Sequence, residues 1–445
     1  MIFIQQKLLK DNLFKLIFKY GVPSILTMWI FSLYTIVDGI FIGKFLGAQS
    51  LAAVNIVMPY VNFSFAIGIM VAVGSSTMIA IQLGAGEDKK ALKSYSTSIQ
   101  LFIVFSSILS LVGIIFPEKV VTLLGANDVI LEEATTYLFY LSFFTLFYML
   151  SYGFESFVRI EGSPNYSLLC ILGGAIMNIV LDYFLIAILD MGIKGAAIAT
   201  GTAQMTTALM LAYYMIFRAK KLKYSFIKFN PKTVMTILYN GSSEFLTEMA
   251  TGVVIMAFNI NIMNIIGNEG ISAFSVISYI STLVTMTMIG FSQGLQPIIS
   301  FNYGAQYRER VLKILKIGTI TVFALGIFFF FLVNLFSDTL VGVFIKDNPR
   351  LFLLTEEAVT YYSFTYILMG INIIISSYFT AVENAFISSI LSVLRGLIFI
   401  NILLLLLPGV LDTKGIWLSA PVNELIMLVV SSVFFIKNGY KKIVA

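Results

Sequence analysis

The chain has no histidine and a single cysteine, Cys170, in 445 residues. Without histidine there is no Ser-His or Cys-His nucleophilic pair and no His-ligated zinc site. Without a second cysteine there is no internal disulfide, and Cys170, inside an apolar run, reads as a small buried residue. Charge is also scarce: 11% of residues are charged, against about 25% in a soluble domain. A nucleic-acid partner would need a broad basic surface, and short loops cannot supply one. No phosphate-binding loop is present, since Gly84-Ala85-Gly86-Glu87 lacks the following Lys-Ser/Thr. No arginine ladder of the voltage-sensor kind occurs either. The sequence gives no reason to expect an enzyme or a cofactor.

Apolar residues fill the space these absences leave, at 59% of the chain. A bilayer span needs about 20 largely apolar residues. Apolar runs between polar breaks predict twelve transmembrane helices, six in each half, and so an all-α integral membrane protein. Two runs, 50–83 and 271–303, are long enough to tilt. No cleavable signal peptide is expected. Lys7, Lys10, Lys15 and Lys19 among leucines and phenylalanines predict a short surface helix leading into the first span. Of the 28 Lys and Arg residues, 21 fall at the termini and in the loops after even-numbered spans. That bias predicts both termini on the cytoplasmic side of a multi-pass protein of the cell membrane. The net charge of +5 is a topology signal on this reading.

The chain also repeats itself at an offset of 220 residues. Gly21 stands over Gly241, Gly47 over Gly267, Gly74 over Gly294, Gly84-Ala85 over Gly304-Ala305, and Lys194-Gly195 over Lys414-Gly415. The repeat predicts two homologous six-helix bundles, 1–217 and 233–445, joined by a polar linker at 218–232. An even number of spans per half inserts both halves the same way round.

Charges inside a bilayer are expensive and usually mark a pathway or a pair. Asp38 in span 1, Asp182 in span 5 with Asn178 one turn before it, and Thr200 in span 6 all fall at one depth. Thr202 competes with Thr200 for the hydroxyl role. These are hard oxygen donors suited to Na⁺, and two carboxylates sharing a dry site also hold a proton readily. The set predicts a cation-coupling site for Na⁺ or H⁺, with a metal role for Asp38, Asn178, Asp182 and Thr200 only if the ion is Na⁺. Pro23, fifteen residues before Asp38, is a candidate hinge; a static kink fits it as well.

The second half lacks this set, because the repeat places Phe258 over Asp38. It carries Glu244 and Glu248 on span 7, Arg395 on span 11 and Glu424 on span 12. Arg395 is expected to form a structural ion pair with Glu424 or Glu244. Tyr34, Gln204, Glu244, Glu248 and Met288 are candidate substrate contacts, and aromatic residues such as Phe31 could bind cations through their ring faces. Glu155, Arg159 and Glu161 read as a solvated or salt-bridged helix end.

These residues resemble the multidrug and toxic compound extrusion family, in particular its bacterial DinF- and MepA-type branch. The resemblance rests on Tyr34-Thr35-Ile36-Val37-Asp38-Gly39-Ile40-Phe41-Ile42-Gly43, on Asn178-Ile179-Val180-Leu181-Asp182, on Gly195-Ala196-Ala197-Ile198-Ala199-Thr200 and on Gly294-Leu295-Gln296-Pro297. It implies a V-shaped pair of six-helix lobes that exchanges organic cations or amphipathic drugs for Na⁺ or H⁺. It places Asp38, Asn178, Asp182 and Thr200 in the family's cation site and Pro23 at its span 1 bend. Tyr183 departs from the pattern, because many members have proline there. The expected partners are small drug molecules and the lipid bilayer, with the chain acting as a monomer. The rival readings are a lipid-linked oligosaccharide flippase of the same superfamily and another twelve-span secondary transporter.

Overall fold

The computed structural model describes residues 8–226, 230–345 and 348–440. Lys7 of the expected surface helix, residues 227–229 of the expected linker and Lys346 lie outside them. Every regular element among the described residues is helical. The long ones are α1 (Leu13–Leu46), α2 (Ala48–Gly84), α3 (Asp88–Ile115), α4 (Leu131–Ser142 and Thr145–Ile160, bent by 52°), α5 (Pro164–Ile188) and α6 (Gly192–Tyr213). They continue with α7 (Pro231–Ile265), α8 (Asn268–Gly304), α9 (Arg308–Leu335), α10 (Pro349–Ala381), α11 (Ala385–Leu406) and α12 (Pro408–Gly439).

Ten of these helices are long and apolar enough to cross a membrane, and the bent α4 makes eleven. The expected twelfth, α6, is outside that number. Its 22 residues include Lys194, Thr200, Thr202, Gln204, Thr206 and Thr207, which dilute its apolarity. Its inner face is buried against neighbouring helices, where matching lipid is not required.

Local sequence sets the helix ends. Asn12 caps α1, its Oδ1 accepting from Phe14 N at 2.9 Å. Asn230 does the same for α7, accepting from Lys232 N at 3.0 Å with Pro231 as first helical residue. Gly47 and Gly267 precede α2 and α8 at φ 91° and 88°, a backbone region that disfavours side chains. The repeat is visible in these elements. α2 and α8 are 37 residues each and α3 and α9 are 28 each, starting 220 residues apart.

The chain divides into two compact units. Unit 1 holds residues 1–10 and 26–245, and unit 2 holds 11–25 and 246–445. The opening turns of α1 therefore pack within unit 2, and those of α7 within unit 1. Glycine makes both packings possible. In unit 1, a Cβ at Gly74 would overlap the Ile237 carbonyl oxygen. In unit 2, a Cβ at its repeat partner Gly294 would sit 2.7 Å from Tyr20 O. Bare backbone at these positions lets helices approach as small residues do in bilayers.

Candidate cation site

Two π-helical stretches shape the site in unit 1. One, Ile42–Leu46, follows Asp38 by one turn. The other, Tyr183–Ile188, begins directly after Asp182. Widened turns of this kind recur at functional sites because they redirect side chains and loosen the backbone ladder. The two stretches touch each other and both touch α6. That contact brings Asp38, Asp182 and Thr200 together from α1, α5 and α6.

Asp38, Asn178 and Asp182 are all buried, the last two completely. Asp182, Asn178 and Thr200 lie against the Asp38 carboxylate. Thr200 Oγ1 donates to Asp38 Oδ1 at 3.4 Å. Both oxygens of Asp182 and both polar atoms of Asn178 are buried without a hydrogen-bond partner among the described residues. Buried polar atoms are normally satisfied, and such a cluster calls for an ion, a proton or water. The donor set of two carboxylates, an amide and a hydroxyl fits a hard monovalent cation.

Ile42 and Ile186, from the two π stretches, join one buried core with Val54, Val57, Leu138 and Ala197, and close packing of that core holds the backbone of both stretches in place. Tyr183 points away from the site and is exposed. Its N–H is shared between Ile179 O and Val180 O. A proline there could not donate, so tyrosine allows the helix to widen without breaking.

The MatE family profile matches residues 23–184 and 243–407. The chain belongs to the MatE family. The match falls on both halves of the repeat and takes in Asp38, Asn178 and Asp182. Among relatives, the multidrug export protein MepA of Staphylococcus saprophyticus is 24% identical over 420 residues, covering 94% of this chain and 92% of its own. MepA of Staphylococcus aureus strain N315 is 24% identical over 402 residues, covering 89% and 88%. An outward-facing multidrug resistance MATE family transporter superposes with TM-score 0.91 at 21% identity, over 98% of this chain and 97% of that one. A transporter of the MOP superfamily from Pyrococcus furiosus, whose binding pocket has reversed polarity, gives TM-score 0.90 at 22% identity over 99% and 98%. The all-α membrane fold is that of MatE transporters, and this chain is a transporter and not an enzyme.

Other sequence candidates fall in different places in this MatE chain. Tyr34 and Gln204 meet in unit 1, Gln204 Nε2 donating to Tyr34 Oη at 2.9 Å. Pro23 is buried, and α1 runs on through it as helix. In unit 2, Met288 is fully buried beside Gly370. Glu248 is half-buried on α7, and Glu244 on the same helix belongs to unit 1. Arg395 takes Glu424 as its partner, with Nη2 and Nε at 2.7 and 2.8 Å from Oε1. Asn372 Nδ2 donates to Glu424 Oε2 at 2.7 Å, and Ser431 Oγ donates to Asn372 Oδ1 at 3.0 Å.

Of the two readings of the α4 end, solvated or salt-bridged, the structure shows a buried salt bridge. Glu155, Arg159 and Glu161 are all buried. Arg159 Nη2 lies 3.3 Å from Glu155 Oε1. Glu161 accepts from the backbone N–H groups of Lys220, Lys221 and Leu222 at 3.1, 3.0 and 2.8 Å. The chain leaving α6 folds over this end and shuts water out, which position along the span could not reveal.

Sequence reasoning missed Tyr137. It is buried on the first arm of α4, beside Thr200 and facing both carboxylates. Its only sequence signal is one tyrosine among the aromatics Phe139, Tyr140, Phe143 and Phe144, which is too common in membrane helices to stand out.

Proposed function

We propose that this MatE transporter is a multidrug exporter that exchanges organic cations or amphipathic drugs for Na⁺ or H⁺. The carrying observation is the buried set in unit 1: Asp38 and Asp182 facing each other, with unsatisfied polar atoms on Asn178 and Asp182 and the Thr200 hydroxyl alongside. Two carboxylates out of water repel unless a cation or proton joins them. Entry of that ion from outside neutralises the pair, relaxes α1 and α5 at their π stretches, and weakens drug binding so that the drug leaves outward. The driving force is about 2.3 kcal/mol per charge per 100 mV, added to the ion gradient. Similarity to MepA proteins, named for multidrug export, supports the drug reading. Placement in the cell membrane with cytoplasmic termini rests on the Lys and Arg bias. Each chain carries its whole cation site, so a monomer suffices.

An anionic lipid-linked substrate would need free basic groups inside the bundle. Arg395 is neutralised by Glu424 and Arg159 lies against Glu155, which disfavours the flippase reading. The test is ethidium efflux from energised cells, with Na⁺ present or replaced by K⁺, and with a protonophore. Dependence on Na⁺ assigns the oxygen cluster to sodium. Collapse with protonophore alone assigns it to protons. Absence of efflux in every condition sinks the exporter reading.

A further inference from the structure

A mostly apolar pocket in unit 1, which shares Asn178 with the cation site, is lined in part by Phe31, Tyr34, Tyr152, Glu155, Asn178 and Gln204. Glu155 is its one carboxylate. Arg159, one turn on along α4, does not line it. Three features of the pocket point to a ligand. First, the Tyr152 hydroxyl, Glu155 Oε1 and the Asn178 amide all line it, and all are buried without hydrogen-bond partners among the described residues. Second, the Glu155–Arg159 approach of 3.3 Å is not an aligned hydrogen bond, so the carboxylate is held by charge alone at 6% side-chain exposure. A buried ion pair of such geometry recovers little of its desolvation cost. Third, the rings beside the carboxylate form one cluster. Phe31 and Tyr34 are 5.2 Å apart, Phe31 and Tyr152 6.0 Å, and Phe65 and Tyr152 4.8 Å between centroids. A carboxylate walled by aromatic faces is the chemistry that recognises an organic cation.

We infer that Glu155 is the charge-selecting residue for organic-cation substrate, and that Arg159 is an internal cation holding its place. The inference rests on the exporter reading above and names a residue for it. With Arg159 against Glu155 the pocket has room for about 30 Å³ of water, too little for a drug-sized molecule. Substrate therefore enters as Arg159 gives up Glu155 and the rings of Phe31 and Tyr152 separate. A neutral ligand of the same shape gains nothing from the carboxylate and must still displace the arginine. The site thus selects for charge as well as bulk.

The test is calorimetric titration of the purified full-length chain with tetraphenylphosphonium and with triphenylphosphine oxide, a neutral relative. Glu155→Gln should weaken tetraphenylphosphonium binding by about tenfold or more, the scale of one charge-assisted contact, and leave triphenylphosphine oxide unchanged. Glu155→Asp, which keeps the charge, should restore part of the loss. Arg159→Gln, which removes the internal competitor, should bind the cation at least as tightly as wild type. Monodisperse elution of each variant guards against misfolding, and Arg159→Gln carries the test if Glu155→Gln does not fold. Equal binding of the cation by wild type and Glu155→Gln overturns the inference alone. So does an Arg159→Gln loss as large as that of Glu155→Gln, which would make the pair structural. Wild type that binds neither compound removes the exporter reading, and the inference with it.

Discussion

Position 38 and its repeat partner 258 show how one architecture comes to hold different chemistry. At 38 an aspartate faces Asp182, with neighbouring polar atoms unsatisfied. At 258 a phenylalanine is almost completely buried, stacked on Phe274 at 4.9 Å and edge-on to Tyr362 at 6.3 Å. Ring packing fills the place where unit 1 keeps a carboxylate. Unit 2 has its own buried charge, but Arg395, Glu424, Asn372 and Ser431 close it into a satisfied network. A satisfied network rigidifies, whereas an unsatisfied one responds to whatever ion completes it. The same fold thus carries an unsatisfied polar cluster in one unit and a satisfied one in the other.

The sharpest way to break this comparison is to remove each carboxylate in turn. Asp38→Asn and Asp182→Asn should each reduce ethidium efflux to that of cells lacking the protein, while membrane expression stays normal by immunoblot. Phe258→Ala should do the reverse. It should cost about 3–5 kcal/mol of stability, read as earlier thermal aggregation in detergent, with efflux per folded molecule retained. Drug efflux at wild-type level in both aspartate variants would place the responsive centre elsewhere.

The fixed centre yields the next effect in size. Glu424→Ala leaves the half-buried Arg395 unpaired, and should destabilise the protein by about 1–3 kcal/mol. The double variant Arg395→Met with Glu424→Leu should recover most of that loss, because an apolar pair of similar volume needs no hydration. If the double variant is as unstable as the single one, the network does more than hold unit 2 together.

Two smaller effects sharpen the responsive centre. Thr200→Ala removes the 3.4 Å hydrogen bond to Asp38 and should cost about 1 kcal/mol of ion binding, read as a few-fold rise in the cation concentration for half-maximal efflux. Thr202→Ala should leave that value where it is, since the hydroxyl that donates to Asp38 is that of Thr200. Tyr137→Phe should shift the same curve by less than Thr200→Ala. A shift as large as that of Asp38→Asn would make Tyr137 an ion ligand in its own right.

Much of this was legible in residues alone, for physical reasons. Low charge and long apolar runs force helices, because backbone groups in lipid must bond within their own segment. A shared offset of glycines and helix starts announces the repeat, and α2 and α8 keep it to the residue. Asp38, Asn178, Asp182 and Thr200 stood out because oxygen-rich side chains are rare in such spans, and counting residues from the helix ends set them at one depth. Arg395 could be seen to need an acid, but two candidates remained until helix packing selected Glu424.

What tertiary structure alone decided is where polar atoms lose water. The α4 end reads in sequence as solvated or salt-bridged, because three charged residues sit within seven positions; the chain after α6 covers it, buries all three and leaves the Glu155–Arg159 pair. The π stretches after Asp38 and Asp182 carry no sequence mark, since they arise where α1, α5 and α6 meet. The exchange of the opening turns of α1 and α7 between units depends on close backbone approach at Gly74 and Gly294, and a glycine in a sequence does not name its neighbour. Composition and period therefore determined the membrane helices, their repeat and the identity of the polar side chains that gather in unit 1. Packing decided which of those side chains would be satisfied, which would wait for an ion, and which would be shut away from water, because burial belongs to a place in three dimensions and not to a residue.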